Sequence, residues 1–213
     1  LGESGVGKSS LALRFVSNEF KPYSESTIGA SFVSKAITVD NMDEDAKCSS
    51  SLETQTDKVQ VSRSIIFNIW DTAGQEKYHS LAPMYYRGAG AAVVVFDIVN
   101  RVSFDTMQKW VDELRINGPS DIILAICGNK CDLSSERTVD EDEARICAEN
   151  VGGFYIETSA RDSVNILELF ERVGAKVPRM LDADESFSGL EEDNFHLVDL
   201  RSLEESERRL SCC

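Results

Sequence analysis

Apolar positions along the chain recur with two periods, and stretches of the two periods alternate. Leu11, Phe15 and Val16 share one face of a helix starting near Lys8. Residues 32–39 and 64–70 read as strands. Residues 91–97 and 122–128 are nearly continuous apolar runs, as expected of parallel strands buried on both faces. Between them Phe104, Met107, Val111 and Leu114 mark an amphipathic helix. Asp140 followed by Glu143 resembles a capping box opening another helix. Residues 154–157 predict a short strand. Ile166, Leu169, Phe170 and Val173 line the inner face of a last helix that ends before Pro178. Strands alternating with helices predict an α/β fold built on a doubly wound, mostly parallel sheet.

Two segments break this rhythm. Residues 40–62, rich in Ser, Thr and acids, lie between two predicted strands. Hairpin loops commonly have about two to five residues, so this stretch reads as a surface-loop insertion. From Pro178 onward there are 10 acids against 4 bases. Residues 178–213 therefore read as a flexible acidic tail, with 1–177 as the folded domain. The chain opens at Leu1 and Gly2, so the first strand of the sheet is expected to be truncated.

Composition narrows the function classes. The chain has 213 residues, 37 acids and 22 bases, for a formal net charge of -15. That balance argues against general nucleic-acid binding, which needs clustered Lys and Arg. No apolar run reaches the length of a membrane span. Cys127 and Cys131 lack a second pair at zinc spacing. With Cys48 and Cys147 they read as free thiols, whereas Cys212 and Cys213 are the last two residues.

Five segments carry chemistry. Gly2, Glu3, Ser4, Gly5, Val6, Gly7, Lys8 and Ser9 fit the phosphate loop G-x-x-x-x-G-K-[ST]. Its glycines let backbone N–H groups of Ser4, Gly5, Val6 and Gly7 turn inward toward an anion. The following helix adds its positive end, with Ser9 and Ser10 in the first turn. Lys8 can reach the β- and γ-phosphates, and the Ser9 hydroxyl can ligate magnesium. Asp71-Thr72-Ala73-Gly74-Gln75 follows a strand. Asp71 there can hold magnesium, Gly74 can present its N–H to a γ-phosphate, and Gln75 can orient an attacking water. Asn129-Lys130-Cys131-Asp132 follows an apolar strand. The Asp132 carboxylate can accept from guanine N1 and the 2-amino group, which adenine cannot supply. Asn129 would brace the base and the loop, and the Lys130 stem would cover the ring. Thr158-Ser159-Ala160 offers a backbone N–H to the guanine carbonyl. Thr27, in the loop before the second predicted strand, can give a hydroxyl to magnesium when a γ-phosphate draws the loop in.

In this order the motifs resemble the Ras superfamily, and within it the Rab family, over roughly residues 1–177. The segments Ile28-Gly29-Ala30-Ser31-Phe32 and Lys77-Tyr78-His79-Ser80-Leu81 are similar to Rab sequences. The run Tyr78-His79-Ser80-Leu81-Ala82-Pro83-Met84-Tyr85-Tyr86-Arg87-Gly88-Ala89 resembles the early-endosomal, Rab-five-like subgroup. An expansion like 40–62 occurs in some protozoan members of it. The resemblance implies a P-loop GTPase fold, bound GTP or GDP with Mg2+, and slow hydrolysis. It implies that Phe20 stacks at the guanine edge and that Phe32, Trp70 and Tyr85 form a triad read by effectors. Arg161 stands where the family usually has Lys. Cys212 and Cys213 resemble a double-cysteine prenylation site, and two lipid chains anchor firmly where one is marginal. The implied partners are an exchange factor, a GTPase-activating protein, effectors and a prenyl-dependent escort of the GDP-dissociation-inhibitor type. The implied setting is a monomer cycling between cytosol and the cytoplasmic face of endosomal membranes, acting in vesicle transport.

Two other classes compete. A P-loop kinase or ATPase shares the first motif, but Asn129-Lys130-Cys131-Asp132 argues against it, and ATP competition with bound GTP discriminates. A GTP-loaded module that does not hydrolyse is opposed by Gln75 and the magnesium residues, and single-turnover hydrolysis discriminates.

Overall fold

A computed structural model describes residues 1–40 and 62–178. The insertion, the tail, Cys48 and both terminal cysteines lie outside the described residues. Five strands and five α-helices alternate: α1 (Lys8–Ser17), β1 (Ala30–Asp40), β2 (Ser62–Thr72), α2 (Ala82–Tyr86), β3 (Ala91–Asp97), α3 (Arg101–Asn117), β4 (Ile123–Asn129), α4 (Glu141–Asn150), β5 (Phe154–Thr158) and α5 (Ile166–Lys176). Each predicted strand and helix is present within two residues or so at its ends. The sequence pattern gave no hint of α2, nor of the 3₁₀ turns Glu76–Leu81 and Cys131–Glu136, whose apolar spacing is too short to show a period.

β1 and β2 pair antiparallel over their full length, and β3, β4 and β5 pair in parallel. Leu1 extends the parallel ladder on the other side of β3: its amine donates to Val93 O at 2.8 Å, and Val95 N donates to Leu1 O at 2.8 Å. Among the described residues the antiparallel pair and the parallel trio form separate hydrogen-bonded sheets.

Strand alternation sends side chains to two cores, one per sheet face. Val94, Phe96, Leu124 and Ile126 meet Phe104, Met107, Val111 and Leu114 of α3 and Ala144 and Ala148 of α4. Val95, Ala125, Cys127 and Ile156 meet Leu11 and Phe15 of α1 and Leu169, Phe170 and Val173 of α5. Phe15 stacks on Phe170 at 3.6 Å between centroids, and Phe67 of β2 sits edge-on to both. That trio seats the hairpin on α1 and α5. Arg63 adds a second fastening, donating to Gly174 O in the last turn of α5 and to Val177 O just beyond it, at 2.8 Å.

The capping box before α4 is half formed. Asp140 Oδ1 accepts from Asp142 N at 2.9 Å and from Glu143 N at 3.2 Å. Glu143 does not reach back to the cap; it takes both guanidinium nitrogens of Arg101, at 2.5 and 2.7 Å. A bidentate charge-assisted pair outcompetes a single bond to a backbone N–H.

Candidate functional site

The carboxyl ends of the parallel strands and the start of α1 face one cleft of about 350 Å³. Its walls include Ser4, Gly5, Gly7, Lys8, Ser9 and Ser10 from the phosphate loop and α1. Phe20 and Thr27 join them from the loop before β1, and Gly74 from the loop after β2. Asn129, Lys130, Asp132, Ala160 and Arg161 close the opposite end. Five segments far apart in sequence thus converge, as expected at the strand ends of an open α/β sheet.

The phosphate loop is held from behind. Val6 is buried, and its carbonyl accepts from Asn129 Nδ2 at 2.8 Å. Gly7 has φ of 99°, and a Cβ on it would meet Asn129 Nδ2 at 2.3 Å. Lys8 Nζ arches over the loop, donating to Gly2 O at 2.9 Å and Glu3 O at 2.7 Å. Burial pushes its pKa down to about 8, against the opposing pull of the Asp71 and Glu3 carboxylates.

The base end is densely bonded. Asn129 Oδ1 accepts from Thr158 Oγ1 at 3.2 Å and from Ala160 N at 3.3 Å. This one amide therefore ties the phosphate loop, β5 and the loop at 159–161 together, and only 2% of its surface is exposed. Lys130, in the left-handed region at φ 68°, is held by Asp97 at 2.6 Å. Asp132 Oδ1 accepts from Ser159 Oγ at 2.6 Å, so Ser159 acts behind the carboxylate and does not line the cleft. Arg161 Nη1 lies 3.8 Å from Asp132 Oδ2. Asp97 was not foreseen as a site residue: it sits inside an apolar run, and only the register of β3 against β4 sets Asp97 beside Asn129, next to Lys130.

The phosphate-side loops are looser. Ser9 Oγ and Thr27 Oγ1 are 2.6 Å apart. Asp71 is buried, and its Oδ1 has no hydrogen-bond partner, while Oδ2 is 3.4 Å from Ser31 Oγ. Two hydroxyls and one orphaned carboxylate oxygen are hard donors suited to magnesium. No cluster of three His, Cys, Asp or Glu exists among the described residues, so phosphate and water oxygens would complete such a shell. Thr72, also buried, lines the cleft in front of Asp71, and its hydroxyl is unpartnered. Gly74 touches the phosphate loop so closely that a Cβ would stand 2.5 Å from Glu3 C and Ser4 N. Ala73 N donates to Gly29 O at 2.8 Å, joining the loop after β2 to the loop before β1. Gln75 is half-buried and opens the 3₁₀ turn Glu76–Leu81; it does not line the cleft.

On the outer surface Phe32 lies 5.1 Å from Trp70, and Trp70 lies 5.3 Å from Tyr85, between ring centroids. Phe32 and Trp70 stay 47% and 50% exposed. The cross-strand register Phe32↔Trp70 puts the first two together, and α2 brings the third.

Comparison with known proteins agrees with this geometry. The Ras family profile matches residues 1–179. The chain is 44% identical over 184 residues to Ras-related protein RABF2a of Arabidopsis thaliana, covering 86% of this chain and 82% of that one. It is 46% identical over 178 residues to Ras-related protein Rab-31 of Homo sapiens, covering 84% and 80%. It is 44% identical over 179 residues to Ras-related protein Rab5 of Nicotiana tabacum, covering 84% and 79%. With a phosphate loop, a guanine-type motif and a Ras-like α/β sheet around one cleft, this chain belongs to the Ras family of small GTPases, among its Rab5-like members.

Proposed function

We propose that the chain is a GTP/GDP switch with slow intrinsic hydrolysis that recruits effectors in vesicle transport, in the manner of early-endosomal Rab proteins. The observation that carries this reading is the single cleft lined by the phosphate loop, Thr27, Gly74, Asn129, Asp132 and Ala160. Residues 1–177 act as the switch and 178–213 as the tether.

The chain's own groups divide the work. Lys8 and the phosphate-loop amides hold the β- and γ-phosphates. Asp132 selects guanine, Ala160 N–H meets the base carbonyl, and Phe20 and the Lys130 stem cover the ring. Ser9, Thr27 and Asp71 would hold Mg2+, whose chemistry when bound would be neutralisation of charge on the phosphoryl group. Gly74 presents its N–H where only a residue without Cβ fits, and Gln75 swings in to align the water. The need for that swing fits slow turnover, and no arginine lines the phosphate side of the cleft. An arginine supplied in trans is worth about three to five orders of magnitude, so fast turnover requires an activating protein. Release of GDP likewise requires an exchange factor.

Phe32, Trp70 and Tyr85 form the effector platform. Cys212 and Cys213 carry the lipid anchor, and a prenyl-dependent escort returns the GDP form to the cytosol. The test of the switch is competition of GDP, GTP and ATP for the full chain with magnesium. Tight guanine-nucleotide binding without ATP competition is expected; displacement of GDP by ATP at similar concentration refutes the assignment. For the anchor, a Cys212→Ser, Cys213→Ser double variant is expected to be cytosolic, and its retention on endosomes refutes it.

A further inference from the structure

We infer that Arg14 is a positioning residue for guanine recognition, acting on Asp132 through the loop at 159–162. The inference rests on the guanine-switch reading above and goes beyond it, since Arg14 lies on α1 outside the sequence motifs and does not line the cleft.

Arg14 occupies the last turn of α1, where a cation opposes the helix dipole. Its guanidinium uses all three nitrogens. Nε donates to Ala160 O at 2.8 Å, and Nη2 donates to Arg161 O at 2.9 Å. Nη1 donates to Asn18 O at 2.7 Å, with Asn18 Oδ1 at 3.3 Å. One planar fork thus joins a wall of the base pocket to the end of α1 that leads into Phe20. The wall is the loop carrying Ala160 and Arg161. The end of α1 is its cap at Asn18, which holds φ 58° two residues before Phe20. Lysine could not do this, because it offers a single nitrogen in place of a rigid fork.

The connection to Asp132 runs through fixed peptide planes. A trans peptide sets its N–H opposite its C=O. Holding Arg161 O therefore fixes the direction of the next N–H, that of Asp162. Asp162 N donates to Ser159 Oγ at 3.0 Å. With that lone pair taken, the Ser159 hydroxyl aims its proton at Asp132 Oδ1, 2.6 Å away. The carboxylate that distinguishes guanine is thereby turned and held by a chain beginning at Arg14. Each link polarises the next. In the same way, holding Ala160 O sets the direction of the Arg161 N–H at the rim of the cleft.

The test is affinity for GDP and for IDP, whose base lacks the 2-amino group that Asp132 reads, with the full chain as wild type, Arg14→Gln and Arg14→Lys. A loosened pocket that merely packs less well weakens both nucleotides by the same factor. A mispositioned Asp132 weakens GDP more than IDP. The expected result for Arg14→Gln is about a tenfold loss for GDP, the equivalent of one charge-assisted hydrogen bond, and a smaller loss for IDP, so that the GDP:IDP preference contracts. Arg14→Lys should fall between, and it carries the test alone if Arg14→Gln does not fold. Equal losses for the two nucleotides, or no loss, overturn the inference. Failure of the wild type to prefer GDP over ATP would instead overturn the switch assignment itself.

Discussion

The two ends of the cleft are built differently. At the base end nearly every polar group is bonded within the protein: Asn129 to three loops, Asp132 to Ser159, Lys130 to Asp97, Arg14 to three carbonyls. At the phosphate end Asp71 Oδ1 and Thr72 Oγ1 are buried without partners, and Tyr23 and Ile28 are exposed nearly as fully as in an open chain. A satisfied, buried network has one arrangement and changes it at high cost. Loops with orphaned polar atoms and exposed apolar side chains gain when a new ligand or partner satisfies them. This contrast fits the proposed division, with recognition at the bonded end and switching at the end whose polar atoms lack partners.

The contrast can be broken most severely at Asp132. Asp132→Ala removes the two charge-assisted bonds proposed to guanine, and GDP affinity should fall by about two to four orders of magnitude. Equilibrium binding with and without ATP competitor measures it. Next is Asn129→Ala, which strands Val6 O, Thr158 Oγ1 and Ala160 N. Stability should fall by about 3 kcal/mol, seen as a lower urea midpoint together with faster GDP release. At the loose end Gly74→Ala should act on rate instead. The new Cβ pushes the loop off Glu3 and Ser4, so single-turnover hydrolysis should drop by about tenfold or more while GDP binding is kept.

Trp70→Ala should separate the surface from the cleft. Effector capture by the GTP form should be lost, with nucleotide affinity within about twofold, since half of Trp70 faces solvent and it is absent from the cleft wall. The smallest effect lies behind the base end. Burial of Glu157 would raise its pKa, but hydrogen bonds from Arg137 at 2.7 and 2.8 Å and from Tyr155 at 2.8 Å outweigh it and hold the value below 4.5. A carboxyl depressed in the folded state adds stability that is complete above its unfolded value and disappears as pH falls through the folded one. The stability gap between wild type and Arg137→Met should therefore narrow below pH 4.5, as read from urea midpoints at several acidic pH values.

Residues proposed to touch a ligand stand out in the sequence, because the chemistry restricts both residue type and spacing. Lys8, Ser9, Asp71, Gly74, Asn129 and Asp132 are of this kind. Residues that hold those residues do not. Arg14 looks like any basic residue near a helix end, and Asp97 like an interruption in an apolar strand. Glu143 fitted a capping box by spacing, yet Arg101, 42 positions away, claimed it. Gln75 was legible as a water-orienting residue, but its position beside the cleft depends on the 3₁₀ turn that it opens.

The sequence by itself determined the alternation of strands and helices, the buried faces, the phosphate loop and the guanine motif. These follow from local backbone geometry and from which side chains can bond a phosphate or a base. Tertiary structure alone decided which of these parts meet and how tightly. The register of β3 on β4 set Asp97 against Lys130, and the packing of α1 on α5 brought Arg14 to the loop at 159–162. A hydrogen bond between residues more than a hundred positions apart leaves no local pattern. Its geometry comes into being only when hydrophobic burial fixes the elements that carry it.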